Sequence, residues 1–239
     1  MYNDKKILAI IPARGGSKGL PGKNIKLWNR KPLLAWSVLQ AQKCELIDEI
    51  LISTEDPDIA EIAMNYGSPP LFLRPEEFAT DESPISDAIL HALDAYEKLG
   101  KSFDFIVLLQ PTSPLRGEED LNGAIIKLIE SNEADSLVSV GEVHMEHPMI
   151  IKKINKEGFV VPYIESTTAI YQRQQADKAY FPYGVIYICK VDVYKDLKTF
   201  YTPKTIPFMI ERWQNFEIDD QIDFSLTEYI EKLKMKSQL

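Results

Sequence analysis

The stretch Lys6–Asn24, KILAIIPARGGSKGLPGKN, decides how the rest of the chain is read. Its first half is a near-continuous apolar run, as expected of a strand covered on both faces. Pro12 and Arg14 cut the run short. It is therefore a poor signal peptide and falls far below the roughly 20 apolar residues that span a bilayer. The second half places Gly15, Gly16, Gly19 and Gly22 among Arg14, Lys18 and Lys23. Glycines let a backbone fold tightly enough for several N–H groups to face one anion, and an Arg grips phosphate oxygens in a fork. Two familiar patterns fail. A Walker loop would need Gly at 17 and Ser or Thr at 24, where the chain has Ser17 and Asn24. The dinucleotide fingerprint fails because Gly15 and Gly16 are adjacent. Two readings remain, a phosphate cradle and a flexible basic loop, and the strand before it favours the cradle.

Working outward, strands and helices alternate. A helix is expected over PLLAWSVLQAQK, a strand over EILIST, and a helix over DPDIAEIAMNYG closed by Gly67. The run SPISDAILHALDAYEKLG offers Ser83 as N-cap, Pro84 at the first helical position, and Ile85, Ala88, Ile89, Ala92, Leu93 and Tyr96 at helical spacing. FDFIVLLQ reads as a buried strand, EEDLNGAIIKLIES as a helix and DSLVSVGEV as a strand. This rhythm predicts an α/β fold with a doubly wound, mainly parallel sheet. It breaks at 143–182, a segment rich in β-branched and aromatic residues, read as an excursion of strands and loops that packs against a second subunit. Regularity returns with GVIYICK, TIPFMI and a last helix, DQIDFSLTEYIEKLKM, whose expected apolar stripe is Ile222, Leu226, Tyr229, Ile230 and Leu233.

Composition narrows the function. The 239 residues are 45% apolar and carry a net charge of -9. Residues 1–31 nevertheless hold eight cations and one acid, Asp4. An acidic body argues against nucleic acid, whereas a compact basic patch beside a glycine loop suits a small anion. Cys44 and Cys189 form neither a disulfide framework nor a metal spacing, so they read as buried thiols of a cytoplasmic protein. His91, His144 and His147 take a structural reading, since no third metal ligand accompanies the last two.

The segment IPARGGSKGLPGKN resembles the opening signature of the acylneuraminate cytidylyltransferases, the CMP-nonulosonic acid synthetases. ISTEDPDIAEIA, RPEEFATDESP, LLQPTSPLR, RQQADKAYFPYGVIYI and FEIDDQIDF resemble further blocks of that family, in order, from residue 7 to 224. The resemblance implies a nucleotide-diphospho-sugar transferase-like fold in one cytidylyltransferase domain over 1–239. The excursion over 143–182 would serve dimerisation and sugar binding, and no further C-terminal domain is expected. It implies an enzyme that couples CTP to a sialic-acid-like sugar, releases pyrophosphate, uses Mg²⁺, works as a cytoplasmic homodimer without membrane or nucleic acid, and supplies cell-surface polysaccharide. By the family pattern Arg14, Lys18 and Lys23 are catalytic, and Arg14, Gly16, Ser17, Lys18, Lys23, Asn24, Arg74 and Ser83 hold the nucleotide. Gln110, Thr112, Arg173 and Gln174 hold the sugar, with Gln175 beside them.

Glu217 and Asp219 would hold the metal from one face of a strand, two carboxylates being a common Mg²⁺ grip. The other reading is that Asp219 and Asp220 cap the last helix. Many relatives have Asp at position 217, and Arg and Asn where this chain has Phe181 and Tyr183. A less polar sugar pocket is expected, suited to a bacterial analogue such as legionaminic acid. Other keto-acid sugars, Kdo or pseudaminic acid, are the enzymatic alternative. A silent nucleotide-binding protein is the alternative of another class, against which Arg14, Lys18, Lys23 and Asp219 argue.

Overall fold

The computed structural model describes residues 2–164 and 177–236. Strand β1 (Ile7–Pro12) is buried almost throughout. Its alternation explains the continuous apolar run: Ile7, Ala9 and Ile11 enter one core, Leu8 and Ile10 the other. Each of the isoleucines and Leu8 contributes about 1.5–3 kcal/mol by leaving water. A loop and the two-residue strands β2 (Leu27–Trp28) and β3 (Lys31–Pro32) lead into α1 (Leu33–Lys43). Then come β4 (Glu49–Ser53), α2 (Pro57–Asn65), α3 (Ile85–Lys98), β5 (Phe105–Leu108), α4 (Asp120–Glu130) and β6 (Ser136–Glu142). The hairpin β7 (Lys152–Ile154) and β8 (Val160–Pro162) stands apart, and β9 (Tyr180–Lys190), α5 (Val191–Leu197), β10 (Thr205–Met209) and α6 (Gln221–Met235) complete the chain.

The six-stranded sheet runs β10-β6-β9-β5-β1-β4. β4 and β5 flank β1 in parallel, and β10 runs parallel to β6. β9 runs antiparallel to both neighbours, pairing Leu108 with Tyr187 and Glu142 with Tyr180. Parallel pairing dominates as expected, but the sheet is mixed. The chain leaves β6 at its carboxyl end and re-enters beside it, so the excursion closes as a long hairpin and β9 must come back reversed. Residues 180–182, placed in the excursion on sequence grounds, already belong to β9. Helices α1, α2 and α4 cover one face, α3 and α5 the other.

Two local expectations are corrected. Ser83 does not cap α3; its hydroxyl donates to the Glu77 carbonyl at 2.7 Å and pairs with the Thr80 hydroxyl at 2.6 Å. The buried face of α6 is Phe224, Thr227 and Ile230, while Ile222 is 76% exposed and Tyr229 59%. Thr227 wins a core position because its Oγ1 accepts from the fully buried Trp28 indole at 3.0 Å. Asp56 caps α2 and Asp220 caps α6, as their chemistry predicts.

Candidate active site

β1 is the point where the connection reverses: the chain moves to β4 on one side and then to β5 on the other. Ligands of open α/β sheets sit outside the carboxyl ends of strands at such a point. An open cleft of about 630 Å³ lies there. Its lining includes Arg14, Ser17, Lys18, Lys23 and Asn24 from the glycine loop, Arg74 and Ser83 from the segment before α3, Gln110 and Thr112 after β5, and Asp219 before α6. These expected site residues, separated by up to 205 positions, therefore meet in one cavity. Gly16 and Glu217 are not among the lining residues, and an added Cβ at Gly16 meets nothing within 4 Å. Arg173, Gln174 and Gln175 lie outside the described residues.

The glycine loop is fixed at both ends. Ala13 N–H donates to the Ser53 carbonyl at 3.0 Å, and the buried Asn24 amide donates to the Arg14 carbonyl at 2.9 Å. Gly22, at φ 65°, turns the chain into a single 3-10 turn that begins at Lys23. Lys23 is 13% exposed; its Nζ donates to the Ile218 carbonyl at 2.7 Å and lies 3.3 Å from the Asp219 carboxylate. Across the cleft Asp81 bridges two loop cations, 2.8 Å from Arg14 and 2.6 Å from Lys18. The hydrogen bond from Lys18, with the two cationic charges, holds the Asp81 carboxyl below its ordinary range. A carboxylate thus already occupies two cations of the glycine loop.

Beside Arg74 the lining turns apolar, with Phe78, Pro84, Ile85 and Ala88. His91 packs edge-on against Phe72 and behind Phe78, at 5.0 and 5.7 Å between ring centroids. His147 is buried and donates from Nε2 to the Asp177 carbonyl, since its Nδ1 accepts from Met149 N–H. Both thiols are buried, and burial raises their pKa values, Cys189 to about 12. The structural readings of His91, His147 and the cysteines agree with this placement.

At the other end, the turn Gln110–Arg116 rests on Arg116. Its guanidinium, 3% exposed, donates to the carbonyls of Val185 and Gln110 and to the side chains of Ser37 and Gln40. Burial lowers its pKa to about 10, so it remains a cation at neutral pH. Arg116→Met should cost about 3 kcal/mol by stranding those acceptors, or a drop of about 10 °C in Tm. A melting curve within 2 °C or so of wild type would contradict that role.

Glu217 and Asp219 do not lie on a regular strand, contrary to expectation; they flank the buried Ile218, whose N–H donates to the Thr112 carbonyl at 2.8 Å. Asp220 takes the capping role, while Asp219 is 84% exposed at the cleft. Glu217 accepts from Gly184 N–H; burial, then the Asp219 charge, raises its pKa. A raised acid pKa means that folding is most favoured below the unfolded value of 4.5 and loses that contribution as pH rises through the folded value. Without metal, Glu217→Gln should therefore melt higher than wild type at pH 7, with the gap closing towards pH 4. A lower Tm at pH 7 would show that the carboxylate stabilises instead. Two adjacent carboxylates that resist sharing negative charge suit a hard cation. Among the described residues no group of three or more His, Cys, Asp or Glu side chains could hold a metal. A cation here would need phosphate oxygens to complete its shell.

Asp81, Arg116 and Gly184 go unread in the sequence, while Gly19 reads only as a loop glycine and Glu55 only as part of ISTEDPDIAEIA. Asp81 and Arg116 sit inside the motifs quoted above, but only their contacts reveal what they do. An added Cβ at Gly184 would collide with the Gln110 side-chain oxygen and come within 3.0 Å of Glu217, so Gly184 leaves the room these two need.

Comparison with known proteins gives a consistent picture. A family model described as cytidylyltransferase matches residues 8–239. The CMP-N,N'-diacetyllegionaminic acid synthase of Legionella pneumophila is 34% identical over 97% of this chain and 99% of its own length. The N-acylneuraminate cytidylyltransferase of Escherichia coli O18:K1:H7 is 32% identical over 98% of this chain, which spans about half (54%) of that relative's length. Among solved structures, CMP:2-keto-3-deoxy-manno-octonic acid synthetase complexed with CTP superposes with a TM-score of 0.69 at 15% identity, covering 96% of this chain and 99% of the other. That last likeness concerns the fold.

Proposed function

The chain belongs to the cytidylyltransferase family, and we propose that it joins CTP to a sialic-acid-like nonulosonic acid, giving the CMP-sugar and pyrophosphate. The observation that carries this reading is the single cleft that gathers the loop cations, the Gln110–Thr112 turn and Asp219 at the reversal point of the sheet.

The sugar's anomeric hydroxyl attacks the α-phosphorus and loses its proton to solvent water, and the bond from phosphorus to the bridging oxygen breaks, so that pyrophosphate leaves with that oxygen. Negative charge grows on the leaving group, so positioning and cations supply most of the catalysis. In this reading Arg14 and Lys18 exchange Asp81 for the outer phosphates. Lys23, set deeper and tied to Ile218, meets the α-phosphate. Ser17, Asn24 and the Gly16 backbone complete the cradle, Arg74 and Ser83 face the base, and Gln110 and Thr112 face the sugar. Arg173 and Gln174 take the sugar carboxylate. Asp219, supported by Glu217, would hold Mg²⁺, which when bound neutralises phosphate oxygens and polarises the phosphorus.

We assign a single catalytic domain to 1–239 and a homodimer interface to the excursion 143–182. The exposed Ile154, Phe159, Val160 and Tyr163 on and beside its hairpin support that assignment, being 58–75% exposed. No helix among the described residues is long and apolar enough to cross a membrane. The preferred sugar is a legionaminic-type acid. Phe181 and Tyr183, rings 4.8 Å apart at the start of β9, support a less polar sugar pocket, and the similarity to the Legionella synthase points the same way.

Pyrophosphate release with CTP and Mg²⁺ across a panel of legionaminic, N-acetylneuraminic, pseudaminic and Kdo acids tests the reading. Legionaminic acid should give the highest kcat/KM. Far better turnover of N-acetylneuraminate would reject that sugar, and no release with any acid would favour a silent nucleotide-binding protein.

A further inference from the structure

Glu55 is not itself among the residues that line the cleft, yet it joins two arms that border it. Its Oε1 accepts from Gly15 N–H at 2.7 Å, and its Oε2 accepts from the Arg74 guanidinium at 2.8 Å. The Glu55 and Arg74 side chains are 16% and 4% exposed. The same short segment holds both arms through its backbone and its next residue. Arg74 N–H donates to the Thr54 carbonyl at 2.8 Å, and Asp56 occupies the space that a Cβ on Gly15 would need. The start of the glycine loop and the arm carrying Arg74 are thus docked on residues 54–56.

Arg74 has one further property. Its Nε is buried and has no hydrogen-bond partner, although the residue lines the cleft. Leaving such a buried donor unmet costs the full desolvation penalty of the group. An acceptor from a ligand removes that cost. The apolar side chains nearby, Phe78 and Ile85, suit a flat heterocycle.

We infer that Glu55 is a positioning residue that holds Arg74 so that its free N–H meets an acceptor on the pyrimidine edge, while setting Gly15 for the triphosphate. The inference rests on the reading that CTP occupies this cleft. A donor fixed in this way favours cytosine, whose ring N3 is an acceptor, over uracil, whose N3 carries a proton. One carboxylate then sets base choice and phosphate grip together.

Calorimetric titration of CTP, UTP and pyrophosphate in Mg²⁺, without sugar, tests this on wild type, Glu55→Gln, Arg74→Lys and the double variant. Glutamine can still accept from Gly15 but turns an amide donor towards Arg74. In Glu55→Gln the CTP Kd should rise about tenfold and the CTP-over-UTP preference collapse, with pyrophosphate affinity held within about threefold. Arg74→Lys should collapse the preference equally, and the double variant should add less than about threefold to either single effect. A lower Tm with the preference intact in Glu55→Gln would reduce Glu55 to a structural strut and overturn the inference. Fully additive losses would overturn it too. Should Glu55→Gln fail to fold, Arg74→Lys decides by the preference alone. Wild type binding CTP and UTP equally overturns the inference and leaves the proposed reaction standing; wild type failing to bind CTP brings down both.

Discussion

In the proposed reaction, Lys23→Ala is expected to lower kcat by about 10²–10³-fold while the protein still folds, because its ammonium would be a pre-placed donor to growing phosphate charge. The side chain is 13% exposed, and two groups hold it in place: the Ile218 carbonyl at 2.7 Å and the Asp219 carboxylate at 3.3 Å. It therefore needs no reorganisation when charge develops. Removing it also leaves the Asp219 carboxylate without this cation. The fold should survive, since Ile218 keeps its backbone bond to Thr112 and stays in the cluster with Leu20, Trp28 and Phe224. Steady-state kinetics beside a melting curve separate the two outcomes. A variant that melts normally and turns over at the wild-type rate would remove Lys23 from the mechanism.

Gly19→Ala should be the most damaging single methyl in the loop. A Cβ there would lie 2.5 Å from the backbone carbonyl oxygen of Asp219, a closer approach than real Cβ atoms make. Backbone cannot rotate aside as a side chain can, so either the loop or the Glu217–Asp220 segment has to shift. Both line or support the cleft, and a displacement approaching 1 Å in such a site costs about 10²-fold in rate. Gly16→Ala adds the same methyl to the same loop but meets nothing within 4 Å. Kinetics of the two variants separate close approach from general stiffening: equal losses in both would show that the contact with Asp219 is not what matters.

The motifs and their order were legible along the chain, because a buried strand, a cap or a cation cluster announces itself through neighbours in sequence. Asp56 and Asp220 cap helices through bonds two and three residues away, and both could be read locally. Helix α6 shows where local reading stops. The expected stripe Ile222, Leu226, Tyr229, Ile230 and Leu233 and the buried set Phe224, Thr227 and Ile230 share only Ile230, yet both keep helical spacing, and periodicity cannot say which set meets the core. Trp28, 199 positions from Thr227, makes that choice with one hydrogen bond. The sense of β9 was likewise open, since an apolar run looks the same in either direction.

The sequence by itself therefore determined the strand–loop–helix order, the cation-rich turn and most of the side chains that line the cleft. Only the tertiary structure decided that Asp81 occupies the loop cations, that Glu55 binds Gly15 and Arg74 at once, and that Gly15 and Gly19, not Gly16, are the tight glycines. The reason is distance along the chain. These roles are contacts between segments 19 to 200 residues apart, fixed by how strands stack into a sheet, and no local spacing carries that information.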